Sequence, residues 1–117
     1  MSIRTERVGG VIREVISETL QRGIDTTGYG LLTVTQVIMT PDLRLAKVYV
    51  SHFHSEKSGE QVLAFLEECG KELRMTVGRA VRLKFTPELR FFIDETLDRV
   101  ERMEELFHKI HEDEKKR

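Results

Sequence analysis

This sequence has no tryptophan and only 7% aromatic residues among its 117, so extended base-stacking or sugar-stacking platforms have few residues to build them. A single cysteine, Cys69, rules out an internal disulfide and matches a reducing compartment. No apolar run reaches the ~20 residues of a membrane span, and MSIRTERVGG lacks the apolar core of a secretory signal. A cytoplasmic protein without membrane contact is expected. Neither charge sign dominates, since the formal net charge is −1, so bulk charge does not announce a nucleic-acid ligand. There is no P-loop and no GxGxxG, hence no motif-defined phosphate or dinucleotide site.

What is present is a charged chain, 33% Asp, Glu, Lys and Arg against 39% apolar, of a length that suits one small domain with a modest core. Residues 1–110 read as that single domain, and 111–117, HEDEKKR, as a charged, solvated tail. The charge is unevenly spread. Between 71 and 90 stand Lys71, Arg74, Arg79, Arg82, Lys84 and Arg90 against only Glu72 and Glu88, while the flanking segments are acidic. A local basic footprint of this kind can hold phosphate in a chain that is neutral overall, although an ordinary solvated face reads the same way.

Residues 3–22 have helical spacing, with Val8, Val11, Ile12, Val15, Ile16, Thr19 and Leu20 on one stripe and Gly23 as the stop. Gly9 and Gly10 each cost about 1 kcal/mol inside a helix, so either the first turn is loose or another element approaches closely. LLTVTQVIM (31–39) and RLAKVYVSH (44–52) read as an antiparallel hairpin turned by TPDL. In the first strand Leu32, Val34, Gln36 and Ile38 share a face; in the second, Ala46, Val48 and Val50 oppose Lys47, Tyr49 and Ser51. A helix marked by Val62, Leu63, Leu66, Leu73 and Val77 follows, with a kink or a division into two short helices at Gly70 and an end at Gly78. The next strand runs from Val81 through RLKFTPELRFFID, where Pro87 marks a bulge or an edge. In its first half Leu83 and Phe85 anchor, and Arg82 and Lys84 point out. A last helix starts near Asp94, with Leu97, Val100, Met103, Leu106, Phe107 and Ile110 on its apolar side. The order α-β-β-α-(kink)-α-β-α predicts an α+β fold, a small mixed three-stranded sheet with helices on one face.

Chemistry-bearing residues are sparse. His52, His54, His108 and His111 would need to converge to hold zinc, and surface histidines near element ends are the plainer reading. Cys69 has no nucleophile context, and the carboxylates of 94–105 fall at the spacing of a solvated helix face. No catalytic residue, metal ligand or cofactor is assigned. Tyr49, Phe91 and Phe92 are candidates for stacking, and at least one Phe belongs to the core. Two classes of function lead from the residues alone, an RNA binder using the basic segment or an adaptor using the open sheet face or the acidic last helix, with a metal-dependent enzyme using the histidines a distant third.

Three stretches carry a resemblance: ERVGGVIREVISETLQR, LLTVTQVIMTPDLRLAKVYVS and VGRAVRLKFTPELRFFIDETLDRVERMEELF. Together and in this order they resemble the ribosome-binding factor A family. The resemblance implies a type II KH-like domain without the GxxG loop of ordinary KH domains. The family has an Ala-x-Gly kink there; here Cys69-Gly70-Lys71 stands in its place, and Thr26-Thr27-Gly28 replaces a family Asp-Pro-Arg. It further implies a non-enzymatic factor that binds the free small ribosomal subunit (30S) and its rRNA rather than the complete ribosome (70S), with other assembly factors as further partners. Its expected role is late maturation, including 5′-end processing of 16S rRNA, and it matters most in the cold. The RNA-contact candidates, chosen by charge clustering, are Lys71, Arg74, Arg79, Arg82, Lys84 and Arg90, with Arg4 and Arg7 as additions. With no coiled-coil seam in the sequence, a monomer is expected.

Overall fold

A computed structural model describes residues 2–95. The expected last helix, the 111–117 tail, His108 and His111 lie outside the described residues. Helix α1 spans Ile3–Glu18, capped by Ser2, whose hydroxyl accepts from the Thr5 N–H. One π-helical turn, Thr19–Gly23, continues it where Thr19 turns its hydroxyl back onto the Val15 carbonyl (2.7 Å), in competition with the backbone ladder. Strands β1 (Leu31–Met39) and β2 (Leu45–Phe53) form the antiparallel hairpin. Helices α2 (Gly59–Glu68) and α3 (Gly70–Ala80) carry the chain to β3 (Glu88–Ile93), which pairs parallel to β2. The sheet order is β1-β2-β3, and all three helices pack on one of its faces, as the α+β reading predicts.

The core is the inward side of β2, Ala46, Val48 and Val50, covered by Ile12, Ile16 and Leu20 of the first helical segment and by Val62, Leu66, Leu73 and Val77 of α2 and α3. The stripe of α1 is rotated from the expected one. Thr5, Gly9, Ile12 and Ile16 are buried, while Val11 is exposed. Gly9 is what lets this happen: a Cβ there would stand 2.8 Å from the Val37 carbonyl oxygen, so the helix lies directly on β1. Gly10 has open space around it.

Two strand expectations are corrected. A β-bulge between Val34 and Gln36 inserts one residue into β1, and a one-residue slip exchanges the faces. Leu32 and Val34 face the core, but beyond the bulge Met39 is buried in place of Ile38. The freed Thr35 hydroxyl donates to Asp94 Oδ2 at 2.6 Å, a bond that spans the sheet from β1 to the end of β3. The segment after α3 is not strand from Val81: α3 runs past Gly78 to Ala80, and 81–87 is irregular. Pro87, fully buried, immediately precedes β3 rather than bulging it. Lacking an N–H, it cannot join the ladder, and pairing begins at Glu88, whose N–H donates to the Arg44 carbonyl (2.8 Å).

Candidate nucleic-acid interface

The α2–α3 junction turns on a single residue. Cys69 (φ −80, ψ −6) ends one helix and opens the next; its N–H donates to Phe65 O (3.1 Å) and its carbonyl accepts from Leu73 N–H (2.9 Å). The break therefore falls inside the expected Cys69-Gly70-Lys71 triplet, at Cys69, with Gly70 and Lys71 in the first turn of α3. Burial pushes the Cys69 thiol up from its ordinary value, and the carboxylates of Glu72 and Glu68 add to the effect. Ser58 starts α2 with a reciprocal capping box: Gln61 N–H donates to Ser58 Oγ (3.2 Å), and Ser58 N–H to Gln61 Oε1 (2.9 Å). Leu73 and Val77 then bury the inner side of α3, which leaves Lys71, Arg74 and Arg79 exposed.

These three cations line one concavity of about 400 Å³ between α3 and the loop before β3, together with Met75, Gly78 and Thr86. Arg74 also fixes its wall, since Nη2 donates to the Thr86 carbonyl at 3.2 Å. A side chain at Gly78 would press on Thr86, its Cβ 3.0 Å from Oγ1. The missing side chain thus allows the loop to lie against the helix.

The other candidates are dispersed. Lys84 and Arg4 meet at a second concavity of about 350 Å³, between the hairpin tip and the loop 81–87. Arg82 is exposed in that loop, and Arg7 is exposed on α1. Arg90 is exposed on β3, paired in register with Lys47 of β2. Tyr49 and Phe92, neighbours in the same register, stack on each other with centroids 5.2 Å apart, while Phe91 packs against the core. Phe85 is not the expected anchor. It is 51% exposed, with Arg44 Cζ 4.7 Å and Lys84 Nζ 5.6 Å from its ring centroid. Arg44 and Lys47 are additions that the 71–90 charge window could not contain; the signal for Arg44 is its place directly after the hairpin turn.

The sequence profile described as Ribosome-binding factor A matches residues 4–107. The chain belongs to the ribosome-binding factor A family. A ribosome-binding factor A of Desulforamulus reducens is 33% identical over 116 residues, covering 99% of this chain and 97% of its own. One from Afipia carboxidovorans is 44% identical over 108 residues, covering 90% and 76%. Among solved structures, ribosome-binding factor A from Thermus thermophilus superposes with a TM-score of 0.66 at 27% identity, over 76% of this chain and 94% of that one. A homology model of the Thermus factor, as fitted into a cryo-electron-microscopy map of a complex with the 30S subunit, gives 0.66 at 26% identity, over 77% and 94%. The element order α-β-β-α-α-β and the mixed sheet are shared with these family structures. Among the described residues no helix is long and apolar enough to cross a membrane.

Proposed function

We propose that this protein is a non-enzymatic assembly factor of the small ribosomal subunit that binds its rRNA through the basic face of α3. The observation that carries the reading is the convergence of Lys71, Arg74 and Arg79 on one exposed concavity between α3 and the loop before β3, in a member of this family. Cations held on one rigid helix can neutralise successive phosphates without base readout. Residues 1–110 then act as one type II KH-like domain in which the turn at Cys69 stands where a GxxG loop would be.

The factor acts as a cytoplasmic monomer on the free small subunit rather than the complete ribosome, alongside other assembly factors. It contributes no catalysis. It favours one rRNA arrangement over competing ones by differential affinity, and leaves when the mature arrangement no longer fits it. Assistance to 5′-end maturation of 16S rRNA and a stronger need in the cold follow, because escape from a misfolded RNA helix slows on cooling.

Cosedimentation of the purified protein with free small subunits tests this. Binding is expected to fall steeply with salt and to be lost in the double variant Lys71→Glu/Arg79→Glu, which leaves the Arg74 bond to Thr86 intact and the thermal melt unchanged. Unaltered binding by a folded double variant refutes the α3 interface. Salt-insensitive binding points instead to an adaptor acting through the open sheet face.

A further inference from the structure

The concavity at the hairpin tip is built differently from the α3 groove, and its centre is an aromatic ring. Phe85 stands in the irregular loop 81–87 with half its surface exposed. Around it three distant segments bring Arg4 from α1, Arg44 from the hairpin tip and Lys84 from the loop itself, with Asp42 as the one anion among the lining residues. Asp42 is already engaged: Thr40 Oγ1 donates to its Oδ1 at 2.6 Å and Arg44 N–H at 3.1 Å.

Arg44 is held in advance. Leu43, in the left-handed region at φ 60, turns the chain; the Arg44 N–H is committed to Asp42, and its carbonyl to Glu88 N–H. Its guanidinium lies over the ring, 4.7 Å from the centroid, from a backbone fixed on both sides, so no backbone ordering is left to lose on binding. A half-exposed ring with a guanidinium layered on it and further cations around it suits a flat, π-rich group attached to phosphate, which can stack on the guanidinium plane or the ring edge left open. Proteins hold unpaired RNA bases in this way, by stacking them on aromatic rings or guanidinium planes while basic residues take the backbone. The about 350 Å³ available lies at the small end of ligand sites, which suits one residue of a chain rather than a folded partner.

We propose that Phe85, with Arg44, Lys84 and Arg4, is a stacking site for a single unpaired RNA nucleotide, separate from the phosphate contacts of α3. The proposal rests on the RNA-binding reading above and adds to it a base-dependent contact. Because the chain contains no tryptophan, Phe85→Trp places a single reporter in the site. Its emission is expected to be quenched by a short unpaired oligoadenylate and not by an abasic oligoribose phosphate of equal length. In the natural chain, Phe85→Leu should weaken oligoadenylate binding on the order of tenfold, and Phe85→Tyr should restore it.

Equal quenching by the abasic strand, or no quenching by either, overturns the stacking site. So does a Phe85→Leu variant that binds oligoadenylate as tightly as the natural chain. If the natural chain retains its salt-sensitive binding to small subunits in that case, the stacking site falls alone. If the natural chain binds neither subunits nor oligoadenylate, the RNA reading falls with it.

Discussion

Gly9 and Gly10 are adjacent, in the same helix, and should respond differently to the same substitution. Replacing either by alanine removes the helix penalty of glycine, a gain of about 1 kcal/mol. At Gly10 a Cβ meets nothing within 4 Å, so the whole gain is expected. At Gly9 the Cβ falls 2.8 Å from the Val37 carbonyl oxygen, roughly 0.5 Å inside ordinary contact, and that oxygen belongs to the backbone of β1 rather than to a side chain that could swing away. Forcing α1 off the strand carries the usual overpacking penalty of about 1–3 kcal/mol. The net effect of Gly9→Ala is then between neutral and a loss of about 2 kcal/mol. Urea melts of both variants decide the matter. Gly10→Ala should raise the midpoint and Gly9→Ala should leave or lower it, with unchanged m-values. In thermal melts the gain at Gly10 corresponds to about 4–8 °C. Equal stabilisation by both substitutions would refute the close approach of α1 to β1.

Ser58→Ala removes the capping box of α2 and should cost about 1 kcal/mol in the same melts, and Ser58→Asp should recover most of it. The Thr40 hydroxyl, with the Arg44 N–H, holds the Asp42 carboxyl below its ordinary value. Thr40→Val should therefore move the Asp42 titration upward by NMR. The stability this bond contributes is present above the ordinary carboxylate range and is lost as pH falls through the depressed value. Cys69 has the opposite sense. Its raised value keeps the thiol protonated, so alkylation by iodoacetamide should be slower than for an exposed thiol, and its rate should climb only above the ordinary thiol range. The stability gained by burying the neutral thiol is present below that ordinary range and lost as pH rises through the raised value.

The parts of the fold that follow from local periodicity were legible without coordinates. The alternation of β2 sends Ala46, Val48 and Val50 inward as the pattern says, because a paired central strand has no freedom to do otherwise. The α-β-β-α-α-β order, the antiparallel hairpin and the parallel return of β3 are consequences of element spacing and connection length. The bulge at Thr35 was not legible, since LLTVTQVIM alternates acceptably in either register. The choice depends on what β1 meets: Gly9 beneath Val37, and Asp94 within reach of the Thr35 hydroxyl. Similarly, RLKF has strand composition but no partner, because Pro87 delays pairing until Glu88.

The basic segment divides along the same line. The linear charge count located Lys71, Arg74 and Arg79, which a helix keeps together because they are near in sequence. It could not gather Arg4, Arg44 and Lys84 around Phe85, which are brought together only by α1, the hairpin tip and the loop before β3 closing on one another. Sequence by itself determined the family, the element order and the existence of a cationic helix face, each of which is encoded by neighbours in the chain. Tertiary structure alone decided the β1 register, the gathering of Arg4, Arg44 and Lys84 and the exposure of Phe85. Those outcomes depend on groups far apart in sequence, and no local preference distinguishes them from their alternatives.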